Sequence, residues 1–284
     1  MTISDLLKNE IKLSISRSLK EDIGDGDITA SINNDISHSK AEIICRQPMV
    51  LCGRQWVNEV FRQLDPSIKI EWMFDDGAFI EENTIIFKLS GSTQNILSGE
   101  RCALNFLQTL SATASVTRLY TEQLENLNCK VLDTRKTIPG LRLAQKYAVL
   151  CGGGANHRIG LFDAILIKEN HIIGGGGIES VIQKTKLMYP NKPIQIEVET
   201  IEEMELAISA GVDRLLLDNF NIEMLNKAYE VNQSLCDSPK VLEASGDISL
   251  ENIRKIAETG VDFISVGALT KNISAINLSM RITN

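Results

Sequence analysis

No unbroken apolar run comes near the roughly 18 residues that a membrane-crossing helix needs, so the sequence offers no such span. The first eight residues, Met1 to Lys8, lack the basic start and continuous apolar core of a secretory leader. A cytoplasmic location is therefore expected. The six cysteines (Cys45, Cys52, Cys102, Cys129, Cys151 and Cys236) are scattered, with no C-x-x-C pair. That spacing disfavours structural zinc, and without a leader it predicts reduced thiols rather than disulfides. Histidine is scarce: His38, His157 and His171 are all there are, and none belongs to an H-E-x-x-H pattern. No G-x-G-x-x-G follows a first strand, which removes support for a dinucleotide fold. Acidic residues outnumber basic ones by 37 to 29, a formal charge of −8, so a nucleic-acid partner is not expected unless the cations are segregated.

What is present divides into two parts. The first hundred or so residues read as a small mixed domain. Apolar residues at helical spacing predict a helix over residues 3–20. An acidic, glycine-bearing turn follows at 21–29; it lacks the distant closing Glu of a calcium loop and reads as a tight turn. Strands are predicted at 41–45, 68–73 and 84–89, separated by Asp-Gly and Gly-Ser turn signals. Residues 98–125 predict one long helix capped by Ser98, with Arg101 in its first turn. Its small residues, Ser111, Ala112, Thr113, Ala114 and Ser115, would let another backbone approach closely.

From residue 130 short apolar runs recur at 130–133, 164–168, 194–198, 214–217, 241–244 and 263–266, with amphipathic helical stretches between most of them. Thr200 with Glu203 forms a capping-box pattern, and Gly211 and Gly260 stand where helices end. Alternating strand and helix predicts a parallel β/α barrel or a doubly wound sheet. Nearly every run is followed at once by polar residues or glycine, which favours a barrel whose strand ends share one rim. With at least six strands where eight close the usual barrel, it is expected to be incomplete.

The chemistry gathers at those strand ends. Between Thr134 and Lys168 lie Arg135, Lys136, Arg142, Lys146, Arg158 and Lys168 with His157, against a single acid, Asp163. Such an excess of cations suits a small anion with several negative groups, because guanidinium forks match carboxylates and phosphates. Gly152, Gly153 and Gly154 precede this group, either for close ligand approach or as a flexible turn. Glu197 and Asp218 bring the opposite charge. They could hold Mg²⁺ together with phosphates, polarise ribose hydroxyls, or pair with the cations of the rim. Ser245-Gly246 and Gly267-Ala268 end the last two strands, the usual phosphate corner of a barrel.

The run Asp133-Thr134-Arg135-Lys136-Thr137-Ile138-Pro139-Gly140-Leu141-Arg142 resembles the signature of the quinolinate phosphoribosyltransferase family. So do Gly152-Gly153-Gly154-Ala155-Asn156-His157-Arg158, Leu166-Ile167-Lys168-Glu169-Asn170-His171 and Ile196-Glu197-Val198-Glu199. Leu217-Asp218-Asn219-Phe220, Glu243-Ala244-Ser245-Gly246 and Ser265-Val266-Gly267-Ala268 complete an ordered set covering nearly the whole chain. The resemblance implies an N-terminal α/β sandwich over 1–110 and an open, TIM-like β/α barrel over 111–284, with the C-terminal tail packing on the N-terminal domain. It implies a homodimer, or a hexamer of dimers, in which Arg101 reaches the neighbour's site.

The resemblance also implies residue roles. Arg101, Thr134, Arg135, His157, Arg158 and Lys168 would hold quinolinate. Lys136, Glu197 and Asp218 would be catalytic, handling phosphoribosyl pyrophosphate and its Mg²⁺. Ser245, Gly246, Asp247, Val266, Gly267 and Ala268 would form the phosphate corner, although the carboxylate of Asp247 should repel a phosphate and point away. The implied reaction converts quinolinate and phosphoribosyl pyrophosphate into nicotinate mononucleotide, CO₂ and pyrophosphate in NAD biosynthesis. The alternatives are a molybdenum-linked paralogue, a Schiff-base aldolase using Lys136 or Lys168, and a barrel that binds an anion without catalysis.

Overall fold

The computed structural model describes residues 5–30, 38–235 and 238–283. The start of the first expected helix, at Ile3, and the thiol of Cys236 lie outside them. The chain divides into two compact units. One comprises Met1–Arg118, Thr137–Gly153 and Leu269–Asn284; the other comprises Leu119–Lys136 and Gly154–Ala268.

In chain order the elements are α1 (Asp5–Ile23), β1 (His38–Cys45), β2 (Met49–Val50), α2 (Arg54–Leu64), β3 (Lys69–Trp72), β4 (Phe79–Ile80), β5 (Ile85–Ser92) and α3 (Thr93–Glu122). There follow β6 (Lys130–Leu132), α4 (Arg142–Cys151), β7 (Ile165–Ile167), α5 (Glu169–Gly175), α6 (Ile178–Met188), β8 (Ile194–Val198), α7 (Ile201–Ser209) and β9 (Arg214–Asp218). The chain ends with α8 (Ile222–Leu235), β10 (Val241–Ser245), α9 (Ile253–Ala257), β11 (Phe263–Ser265), α10 (Ala268–Lys271) and β12 (Leu278–Thr283).

The first unit is an α/β sandwich. Its antiparallel sheet has the order β12-β1-β5-β3, so the C-terminal strand returns to pair with β1, Lys40 opposite Thr283 through Cys45 opposite Leu278. In β1 the alternate residues Ala41, Ile43 and Cys45 are buried, as the two-residue strand period requires. Leu7, Ile11, Ile15 and Leu19 of α1 recur every fourth residue and join Trp56, Val57, Val60 and Phe61 of α2 in the core. Each such side chain contributes about 1.5–3 kcal/mol of burial free energy.

Helix α3 differs from its expected extent. It starts at Thr93, directly after β5, because the Ser92 hydroxyl accepts from the Asn95 N–H (3.3 Å) and supplies the cap. Ser98 is therefore not the cap but an interior residue whose hydroxyl donates to Asp27 (2.7 Å), and Arg101 lies beyond the first turn. Asp27 also accepts from the Ala30 N–H (2.8 Å), so the acidic turn ties the chain to α3. The small residues of α3 do admit a close backbone: a Cβ on Gly152 would lie 2.4 Å from the Ala114 carbonyl oxygen and 2.6 Å from Thr117 Cβ.

The second unit is an open β/α barrel. Six parallel strands run β6-β11-β10-β9-β8-β7, with β6 and β7 unpaired to each other at the edges. Every expected apolar run from residue 130 onward is one of these strands. Ile194, Ile196 and Val198 of β8 are buried, while Glu197 between them lines a cavity at the strand ends. The same alternation sends Leu216 and Asp218 of β9 and Glu243 and Ser245 of β10 into that cavity. No described helix is long and apolar enough to cross a membrane.

Candidate active site

A cavity of about 400 Å³ opens at the carboxyl ends of the barrel strands. Thr134, Arg135, Lys136, His157, Arg158, Lys168, Glu197, Asp218 and Ser245 line it, with Leu166, Leu216, Glu243 and Ser265. Four cations thus face the carboxylates of Glu197 and Asp218, with a third, Glu243, buried among them. Burial, and then the neighbouring charge of Arg135, push the Arg158 guanidinium below its usual range, opposed by Asp163 and Glu197. Two guanidiniums held close together make a field that an anion relieves.

Buried groups fix this arrangement from behind. Asp133, fully buried at the end of β6, accepts from the Asn156 side chain (2.6 Å) and from the His157 N–H (2.9 Å). Ala155 adds a parallel bridge to Leu132. The Arg158 N–H donates to His157 Nδ1 (2.7 Å). Asp163 receives the N–H groups of Ile159 and Gly160 (2.7 and 2.9 Å) and closes the loop that carries Arg158. Lys168 Nζ donates to Glu197. Asp218 accepts from the Asn219 side chain (2.9 Å), and the Asn219 N–H donates to the Ser245 carbonyl (2.8 Å).

Two glycines shape the chain at the ends of β10 and β11. Gly246 has φ +100°, and a Cβ there would stand 2.0 Å from Asn219 Oδ1 and 2.9 Å from Asn219 N. A Cβ on Gly267 would come within 3.2 Å of Lys136 Cδ. Asp247, at φ 44°, is exposed, and its carbonyl accepts from Asn252 (3.0 Å).

Residues 27–111 match the N-terminal domain of quinolinate phosphoribosyl transferase, and residues 113–281 match its C-terminal domain. This chain belongs to that family. It is 36% identical to a chloroplastic nicotinate-nucleotide pyrophosphorylase (carboxylating) of Oryza sativa, covering 96% of this chain and 78% of the relative. It is 35% identical to a probable nicotinate-nucleotide pyrophosphorylase (carboxylating) of Bacillus subtilis, covering 96% and 94%. The solved structure of the nicotinate-nucleotide pyrophosphorylase from Francisella tularensis matches with a TM-score of 0.94 at 46% identity, covering 99% of this chain and 98% of that one.

Not every member of the expected cation cluster stands in this cavity. Arg135, Lys136, Arg158 and Lys168 line it, whereas Arg142 and Lys146 lie on α4 in the first unit, where Lys146 is buried. Gln145 holds the α4 segment in that unit, accepting from the Ile138 N–H and donating to the Thr270 carbonyl (both 2.8 Å). Gly152 serves packing against α3 rather than ligand approach. Arg101 also belongs to the first unit; its side chain is 58% exposed and lies 3.8 Å from Glu100. His171 is exposed and accepts from the Lys168 N–H (3.0 Å), capping α5.

Among the described residues, one group of three close metal-ligating side chains occurs: Cys52, Asp76 and Cys151 of the first unit. Asp76 is already engaged by the N–H groups of Gly53 and Arg54 (3.0 and 3.3 Å) and by the Tyr147 hydroxyl (2.9 Å). Burial raises both its carboxyl and the Cys52 thiol. Glu243, noted at a strand end beside Ser245 and Gly246 but given no role there, also lines the cavity. It sits inside an apolar run, fully buried, and only its two-residue offset from Ser245 marks it as inward-facing.

Proposed function

We propose that the chain is a quinolinate phosphoribosyltransferase that forms nicotinate mononucleotide, CO₂ and pyrophosphate from quinolinate and phosphoribosyl pyrophosphate. The observation that carries this reading is one small cavity in which Arg135, Lys136, Arg158 and Lys168 face Glu197 and Asp218. The substrates together carry two carboxylates and several phosphates, and this charge pattern is their complement.

Arg135, Arg158 and Lys168, with Thr134 and His157 beside them, hold the pyridine dicarboxylate. Its ring nitrogen attacks ribose C1 as the bond from C1 to the pyrophosphate oxygen breaks. Lys136 stands near the leaving group, where positive charge stabilises the negative charge that develops. Fixing both reactants in line supplies much of the rate. The bond from C2 to the 2-carboxylate then breaks, its electron pair flows toward the ring cation, and a proton is taken up at C2. Ser245, Gly246, Val266, Gly267 and Ala268 form the corner for the 5′-phosphate, with Asp247 at its exposed margin.

Glu197 and Asp218 fit a magnesium ion that arrives on the substrate. Glu197 pairs with Lys168 and Asp218 with Asn219, so the two carboxylates alone are not a closed cage, and magnesium commonly uses one or two carboxylates plus phosphate oxygens. Bound there, the ion would neutralise the pyrophosphate charge. Arg101, on the first unit, is assigned to the site of a second copy in a homodimer or a hexamer of dimers.

The test is release of pyrophosphate and nicotinate mononucleotide from quinolinate, phosphoribosyl pyrophosphate and Mg²⁺, with nicotinate run in parallel. Turnover of quinolinate and not nicotinate is expected, and a chelator should abolish it. Arg135→Ala should lower kcat/KM for quinolinate about 10- to 100-fold, the worth of one charge-assisted hydrogen bond. A folded wild-type protein inert toward quinolinate overturns the reading.

A further inference from the structure

The roles above leave Glu243 without a task. It lies on β10 at the floor of the cavity with none of its surface exposed. A buried carboxylate is costly unless positive or donor groups compensate it. Three such groups surround Oε2: Gln195 Nε2 at 2.8 Å, His157 Nε2 at 3.4 Å and an Arg214 nitrogen at 3.9 Å. Burial alone would raise the Glu243 carboxyl, but the His157 and Gln195 contacts outweigh it and hold the group below the usual range.

The other edge of the His157 ring is equally committed. Nδ1 accepts the Arg158 N–H at 2.7 Å, so its lone pair is in use and the ring proton resides on Nε2, toward Glu243. The 3.4 Å separation is long for a linear hydrogen bond, so the contact constrains the ring's orientation more than it adds bond strength. Asp133 grips the same segment through the His157 N–H and the Asn156 side chain. Two buried carboxylates therefore anchor the loop from which Arg158 enters the cavity.

We infer that Glu243 is a positioning residue: it selects the Nε2–H form of His157 and locks the ring, which ties the Arg158 N–H to Nδ1 and aims the Arg158 guanidinium at the substrate's carboxylate. The identity of that substrate rests on the quinolinate reading; the ring geometry does not.

The test uses Glu243→Gln, which keeps an acceptor of the same length, and Glu243→Met, which does not. Only three histidines are present, so ¹⁵N-detected imidazole spectra of the resting protein resolve them, and His157→Ala assigns the ring in question. The wild type and Glu243→Gln should show His157 protonated at Nε2, while Glu243→Met should show mixed tautomers. Glu243→Met should raise KM for quinolinate about 10-fold with a smaller change in that for phosphoribosyl pyrophosphate, and Glu243→Gln should recover most of the loss. In a His157→Ala background, Glu243→Met should cost less than about twofold more, because it acts through the missing ring. An unchanged tautomer in Glu243→Met, or losses that multiply in the double variant, would overturn the inference. If Glu243→Met does not fold, Glu243→Asp, which withdraws the carboxylate by one methylene, takes its place with the same readouts. Wild-type protein inert toward quinolinate would count against the substrate alone, since the ring spectrum is read without it.

Discussion

Cys129 stands just before β6 with 7% of its surface exposed, and burial, then the charge of Asp262, push its thiol from 9.0 to about 12. Cys102, buried on α3 and facing Asp22 and Glu21, is raised to about 11. A thiol whose folded pKa lies above its unfolded value stabilises the fold fully below pH 9. Above that pH the unfolded chain releases its proton first, so the contribution is lost as pH rises. For Cys129 this amounts to about 2 kcal/mol by pH 10.5, at about 1.36 kcal/mol per unit. Urea unfolding at pH 8 and pH 10.5 should therefore show a smaller alkaline loss for Cys129→Ala than for the wild type; equal losses would mean that the thiol is not shielded. At this scale the site was largely legible. Arg135, Lys136, Lys168, Glu197 and Asp218 stand where apolar runs stop, and a strand end is visible in sequence. Glu243 also stands near a strand end, but no role for it could be read, because the His157 ring beside it is brought there only by the fold.

The six barrel strands could be read because each is a compact apolar run whose helices need an alternating pattern to cover it. Helix α3 was misplaced at its start for a local reason. Ser98 has the composition of a cap, but Ser92 has the geometry, and Asp27, distant in sequence, claims the Ser98 hydroxyl. The placement of α4 was hidden for a similar reason: Gln145 binds it to Ile138 and Thr270, a connection that no periodicity announces. The Thr200 cap was legible and forms, its hydroxyl accepting from the Glu203 N–H at 3.2 Å. The return arm differs from the usual box, since the Glu203 carboxylate takes the Glu199 N–H (2.8 Å) rather than that of Thr200. Thr200→Ala should thus cost about 1 kcal/mol, the usual value of an N-cap, with the Glu199 contact intact. A denaturation midpoint unchanged at constant slope would show that the Glu203 arm alone sustains the start of α7.

At the scale of the whole molecule, the proposed place of Arg101 in a neighbour's site would make the assembly part of the chemistry. If each site takes Arg101 from one chain and Arg135 from the other, Arg101→Ala and Arg135→Ala should each lose about 10- to 100-fold in kcat/KM alone. Neither replacement removes a core contact, as Arg101 is largely exposed and Arg135 is exposed at the rim. In a symmetric dimer, random reassortment of the two variants leaves half of the dimers mixed. Each mixed dimer carries one site with both defects and one with neither. An equal mixture, exchanged by mild unfolding and refolding, should recover about a quarter of wild-type activity. Sites completed within one chain would recover nothing, because every chain would lack one of the two guanidiniums. The recovered fraction therefore reads the origin of Arg101 directly.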